Sequence, residues 1–246
     1  MKIMVLEPFA THGEGVAFFG EFVPSDVDLV GLEEGPVPGG GRVGTLYGVP
    51  QILESIKDAE RQGYDAVVLA CHSDPGIQDV RQLVDIPVIG PGMVAMHISA
   101  MLGTKTCMLK ATNQARSWSQ ENIMLYGFEG RVIVRAVKAS VPEAMRAYNE
   151  YKISGKPPCF INYLVDVSIK AIEEEDVDVL TFGCGALIWT PKLLRSELLK
   201  KGYDIPVVNP LPVAVEVARS LVKLKLTHSR ITYPKNPLYA NMKEAA

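Results

Sequence analysis

Short apolar runs alternate with longer amphipathic stretches along this chain, and they do so twice in the same order. Lys2 to Leu6 and Val27 to Val30 have the length and uniform apolar character of buried strands, and so does Asp65 to Cys71. Between them, Gln51 to Gln62 carries apolar residues at helical spacing, with Gly63 placed to end the helix in a left-handed turn. The second half follows suit. Thr104 to Lys110 and Arg131 to Val137 predict strands, and Ile161 to Glu174 predicts a helix with Leu164, Val165, Ser168, Ile169 and Ile172 on one face. Helices are also expected at Gly76 to Leu83, Met93 to Leu102 and Val213 to Leu224.

The order is a repeat of sequence as well as of pattern. Asp65-Ala-Val-Val-Leu-Ala-Cys71 matches Asp178-Val-Leu-Thr-Phe-Gly-Cys184 at an offset of 113 residues. Asp85-Ile-Pro-Val-Ile-Gly-Pro91 matches Asp204-Ile-Pro-Val-Val-Asn-Pro210 at an offset of 119, and the match runs on from Val94-Ala95 against Val213-Ala214 to Leu102 against Leu221. The six extra residues imply a helix longer by under two turns between the cysteine and Asp-Ile-Pro in the second half. Strands alternating with helices make a parallel sheet covered on both faces. The expected fold is α/β, with two pseudo-symmetric lobes, each a mainly parallel sheet flanked by helices. Residues 1–102 form the first lobe, residues 103–210 the second, a helix at about 211–226 packs back on the first, and 227–246 is a surface tail.

Composition narrows the class of partner more than the fold. Apolar residues make up 48% and charged residues 22% of the 246, which suits a globular domain and neither a disordered nor a fibrous one. A net charge of -3 without any Lys/Arg run argues against nucleic acid, so a small-molecule substrate is expected. The apolar start of the chain soon meets Glu7 and Pro8 and is too short to cross a bilayer, which excludes a membrane partner and places the protein in the cytoplasm. Four cysteines without CxxC spacing suit reduced thiols, and four scattered histidines make no zinc pattern.

Two of those cysteines carry the chemistry. Cys71 and Cys184 close equivalent strands, and in parallel α/β sheets ligands bind beyond the carboxyl ends of the strands. If the lobes face each other, both thiols approach one cleft. Racemising a carbon next to a carbonyl needs a base to remove a proton on one face and an acid to return one on the other, and two thiols can exchange these roles. A free thiol has a pKa of about 8.5, which a helix N-terminus lowers. No cofactor is required. Backbone N–H groups of Gly183 and Gly185 are placed to receive the charge of the intermediate. In the first half, Ser73 and Asp74 are expected to cap the following helix. Cys107, inside an apolar strand, and Cys159, after two prolines, read as structural.

These residues resemble the aspartate/glutamate racemase superfamily, and within it the hydantoin racemase branch that includes allantoin racemases. The resemblance rests on Ala70-Cys71-His72-Ser73-Asp74-Pro75-Gly76 with Val84-Asp85-Ile86-Pro87-Val88, on Leu180-Thr-Phe-Gly-Cys184-Gly185, on Glu121 to Gly127 and on the run Tyr47 to Leu53. It implies two lobes, catalytic Cys71 and Cys184, no cofactor, a homo-oligomer and 5-substituted hydantoins as substrate. Amino-acid racemisation, isomerisation or decarboxylation within the superfamily, and a two-lobed binding protein, are the other readings. Many hydantoin racemases carry Asn-Pro-Asn after the first strand, where this chain has Glu7-Pro8-Phe9. Those three residues, Ser73 beside the thiol, and Thr112 and Asn113 at the mirrored place in the second half are candidate substrate contacts, and Trp189 reads as packing. The glycine-rich run Gly35 to Gly44 neither follows a strand nor opens a helix, so a loop over the site is expected there, with Thr45 or Tyr47 meeting the substrate. His72 adjoins the thiol as a possible activator.

Overall fold

A computed structural model describes residues 1–35, 41–111, 116–137 and 139–235. In chain order its elements are β1 (Ile3–Glu7), α1 (Glu14–Gly20), β2 (Asp28–Gly31), α2 (Gly41–Arg61), β3 (Ala66–Leu69), α3 (Ile77–Val80), β4 (Val88–Ile89) and α4 (Pro91–Leu102). There follow β5 (Thr106–Lys110), α5 (Arg116–Leu125), β6 (Val132–Ala136), α6 (Val141–Ser154), α7 (Cys159–Glu175), β7 (Val179–Phe182), a single 3-10 turn (Gly185–Leu187), α8 (Pro191–Lys200) and α9 (Pro210–Lys223). Contacts divide the chain into two compact units, residues 1–90 with 214–246, and residues 91–213.

The first unit holds a parallel sheet in the order β2-β1-β3-β4. Every residue of β1 and β3 is buried, as strands covered on both faces must be. Met4, Leu6, Val67 and Leu69 pack with Ile52 and Ile56 of α2 and with Val80 and Val88. Asp65, just before β3, accepts the backbone N–H of Lys2 at 2.6 Å and so ties together the entries of β1 and β3. The tail is fastened to this unit as far as Lys235: His228 Nε2 accepts the N–H of Val88 at 2.8 Å, and Arg230 donates to the carbonyl of Arg81 at 2.9 Å. Burial is the main cause that lowers the His228 pKa to about 4, which suits a neutral acceptor.

The second unit repeats the plan with β6-β5-β7, all parallel, and a single parallel bridge from Leu180 to Val207 in place of a fourth strand. Asp178 does here what Asp65 does in the first unit, accepting the N–H groups of Thr104 at 2.8 Å and Lys105 at 2.9 Å. The repeated aspartate at the head of each cysteine strand is thus a clamp on the neighbouring strand. The six-residue offset is also accounted for, since α8 has 10 residues where α3 has 4.

Three expectations change. Helix α4, assigned from sequence to the first lobe, groups with the second unit, because Ala95 packs on Val179 and Met96 on Met108. Helix α2 begins at Gly41, ten residues before the expected start, and runs through Pro50, so the end of the glycine-rich run does open a helix. Thr45 lies buried in its second turn, its hydroxyl donating to the Gly41 carbonyl at 3.0 Å. Residues 36–40 lie outside the described structure. The third change concerns capping: α3 spans only Ile77–Val80, and its N-cap is Gly76 with no side-chain bond, not Ser73 or Asp74.

Candidate active site

The two cysteine turns grow from the same strand register. In the first unit Leu6 pairs with Leu69, Ala70 donates its N–H to the Leu6 carbonyl at 2.7 Å, and Cys71 follows. In the second, Leu109 pairs with Phe182, Gly183 donates to the Leu109 carbonyl at 2.8 Å, and Cys184 follows. Each thiol therefore stands one residue beyond the last sheet hydrogen bond, at the carboxyl end of the strand paired with β1 or β5, where α/β sheets place their ligands. Both are half-buried.

Beyond Cys71 the chain turns sharply. Asp74 donates its N–H to the Cys71 carbonyl at 3.1 Å and takes a φ of 50°, and Gly76 takes 66°. The Asp74 carboxyl lies under Gly90, where an added Cβ would come within 2.5 Å of it. Asp74 is thus packed against the end of β4 and does not cap the helix, whose first N–H groups it leaves to backbone partners such as the bond from Ile77 to its own carbonyl. His72 is buried and Ser73 half-buried beside the thiol.

Glu7 closes β1 and is 1% exposed. Its Oε2 accepts the Thr11 hydroxyl at 2.9 Å, and that hydroxyl accepts the Gly15 N–H at 2.9 Å. Gly15 and Gly31 make the space: a Cβ on Gly15 would stand 1.9 Å from Glu7 Oε1, and one on Gly31 3.3 Å from Oε2. Burial pushes the Glu7 pKa up to about 7 against the opposing Thr11 bond. Glu7 is therefore an interior acid held between β1, β2 and α1. Pro8 is buried with it, and Phe9 is half-buried.

The second unit puts a cation in the matching place. Lys110 closes β5, is 4% exposed, and donates from Nζ to the Ser119 hydroxyl of α5 at 2.6 Å. Its stem crosses Gly183, where an added Cβ would lie 3.0 Å from Lys110 Cγ and 2.8 Å from Met108 Sδ. Beyond Gly183, Cys184 caps the 3-10 turn with extended backbone, its sulfur near the N–H of Ala186. Burial raises the Cys184 pKa, and the Ala186 N–H and the Lys110 charge oppose it.

One expected oxyanion donor is removed by these bonds. Gly183 spends its N–H on the sheet, so it has none to offer an intermediate, whereas Gly185 opens the 3-10 turn, where the first N–H groups lack a helical acceptor. Tyr47 stands on the outer face of α2 and is 78% exposed. Thr112 and Asn113 lie outside the described residues. Trp189 is buried among Tyr148, Tyr151 and Phe160, with ring centroids 5.7 to 6.0 Å away, which is packing. Cys107 is buried in β5, its thiol pushed to about 12 by burial. Cys159 is not packed as its sequence setting suggested: it is exposed at the start of α7, because the preceding prolines fix a helix start at the surface. Sequence reasoning missed Lys110 and the Thr11–Gly15–Gly31 frame of Glu7. The signal for Lys110 was its place as the last residue of the strand that repeats the one ending in Glu7.

Two parallel α/β units with a half-buried cysteine at the same strand end of each define a class, two-unit α/β proteins built by internal repetition. Residues 38–218 match the family model described as Asp/Glu/Hydantoin racemase, and the chain belongs to that family of isomerases. It is 25% identical over 245 residues to the hydantoin racemase of Pseudomonas sp. (strain NS671), covering 96% of this chain and 92% of that one. The hydantoin racemase of Paenarthrobacter aurescens is 24% identical over 244 residues, covering 96% and 98%. Among solved structures, allantoin racemase from Pseudomonas fluorescens superposes with a TM-score of 0.80 at 24% identity over 96% of this chain and 97% of that one. Glutamate racemase RacE1 from Bacillus anthracis shares the fold more distantly, with a TM-score of 0.62 at 15% identity over 99% and 94%. Among the described residues no helix is long and apolar enough to cross a membrane.

Proposed function

We propose that this racemase inverts a carbon next to a carbonyl with Cys71 and Cys184, one thiolate removing the proton and the other thiol returning one, and that 5-substituted hydantoins are its substrates. The observation that carries this reading is the shared register of the two cysteine turns, which gives each unit one half-buried sulfur immediately beyond its last sheet bond. A proton alpha to the carbonyl and ring nitrogen of a hydantoin is acidic enough for a thiolate to remove, so the reading needs no cofactor. The names of the relatives support the substrate class, since allantoin is itself a hydantoin substituted at carbon 5. Glutamate and aspartate are the next substrates to test, and the same reading carries a cytoplasmic homo-oligomer.

The test is racemisation of enantiopure 5-substituted hydantoins in deuterated water, followed by optical rotation and by mass spectrometry. Deuterium is expected to enter carbon 5 as rotation decays, and Cys71→Ala and Cys184→Ala are each expected to lower racemisation by at least about 10³-fold, the upper part of the range for loss of an acid–base group. Normal racemisation in either single variant sinks the two-thiol mechanism. Inversion of glutamate but not of any hydantoin sinks the substrate.

A further inference from the structure

The end of β1 and the end of β5 are the same place in the repeat, yet one carries an acid and the other a base. Leu6 and Leu109 occupy matched register positions opposite Leu69 and Phe182, so Glu7 and Lys110 are the next residue of each, and each lies beside the strand that delivers a cysteine. Both are nearly inaccessible, at 1% and 4% exposure. A lysine ammonium is rarely buried unless something nearby takes up its charge.

We infer that Lys110 is a positioning residue for the reaction, the fixed cation beside Cys184 that makes the thiolate of that half-buried cysteine attainable. The inference rests on the two-thiol reading above and deepens it by assigning the support of one thiol. The geometry restrains Lys110 at three points. Its backbone is fixed in the centre of the sheet, between β6 and β7. Its stem is held over Gly183, where there is no Cβ to displace it, and its Nζ is anchored by Ser119. The groups acting on the sulfur are then few. The Ala186 N–H of the 3-10 turn and the Lys110 charge from β5 favour its thiolate, and burial works against both. Ser119, on α5, is neutral and orients the ammonium without cancelling it. In the first unit the equivalent position is the Glu7 carboxyl, which can supply no positive charge, so the two thiols are supported differently.

The experiment reads Cys184 itself and does not depend on knowing the substrate. Full-length protein is alkylated with iodoacetamide across a pH series, and the rate at each cysteine is read from its own peptide by mass spectrometry. Lys110→Met is expected to slow alkylation of Cys184 about tenfold near neutral pH by moving its thiolate formation about one pH unit upward, while the profile of Cys71 is unchanged. Lys110→Arg is expected to restore the wild-type profile, which a purely space-filling role would not do. Lys110→Gln, which keeps a polar end for Ser119, is the second neutral variant and must behave as Lys110→Met does, so that loss of packing in one variant does not decide the question. An unchanged Cys184 profile in a folded neutral variant overturns the inference, and so does failure of Lys110→Arg to restore it. Failure of the two-thiol reading looks different: Cys184→Ala would racemise normally even though the alkylation profile shifts as expected.

Discussion

Replacing Glu7 by glutamine should make the protein more stable, and only above a definite pH. Glu7 is 1% exposed, and its folded pKa is about 7 against an ordinary 4.5. That difference corresponds to about 3 kcal/mol between the two protonation states. Because the folded pKa is the higher one, the native protein keeps the proton between pH 4.5 and about 7 while the unfolded chain has released it. Stability is therefore full below pH 4.5, falls as pH rises through this window, and levels off about 3 kcal/mol lower above it. Glutamine cannot titrate. Its amide copies the protonated acid, with an oxygen for the Thr11 hydroxyl and a donor in place of the acid proton. The difference between Glu7→Gln and wild type should thus be near zero at about pH 4.5 and should favour the variant by about 3 kcal/mol at about pH 8, because every other titrating group is common to both chains. Urea denaturation followed by tryptophan fluorescence at several pH values measures it. Parallel stability curves, or a variant less stable at pH 8, would refute the burial of an uncompensated carboxyl.

Gly15→Ala should cost at least about 2 kcal/mol, since its Cβ would fall 1.9 Å from Glu7 Oε1, and much less in a Glu7→Ala background that vacates the space; thermal melts of the double-mutant cycle test this. Among the thiols, Cys159 should react with an aromatic disulfide first and Cys107 only on unfolding, and Cys159→Ser should leave racemisation intact. A native Cys107 that reacts as fast as Cys159 would contradict its place inside β5.

What was legible in the sequence was whatever the repeat wrote twice. The strand ending in Cys71 and the one ending in Cys184 were found because the same apolar run follows an aspartate in each half, and the structure gives that aspartate one job in both, clamping the neighbouring strand. The family resemblance came mainly from the same segments, with Glu121 to Gly127 and Tyr47 to Leu53 in support. Features written once were missed. Helix α2 starts ten residues before the expected Gln51 and carries Pro50 in its interior, where a proline is unfavourable. The Ser73 and Asp74 cap was a reasonable local inference, but Asp74 is drawn under Gly90 by a contact from another strand that no local pattern records. Lys110 was passed over because a lysine after four core residues reads as the point where a strand meets water, and its burial is set by α5 closing over it.

The opposite charges at the ends of β1 and β5 bear on why the repeat lies within one chain. An assembly of two identical half-length chains would be forced to carry the same residue at both places, two acids or two bases, because one codon would serve both. Fusing the copies freed each position to evolve alone. The chain could then keep a pair of matched thiols and still surround them with unlike neighbours.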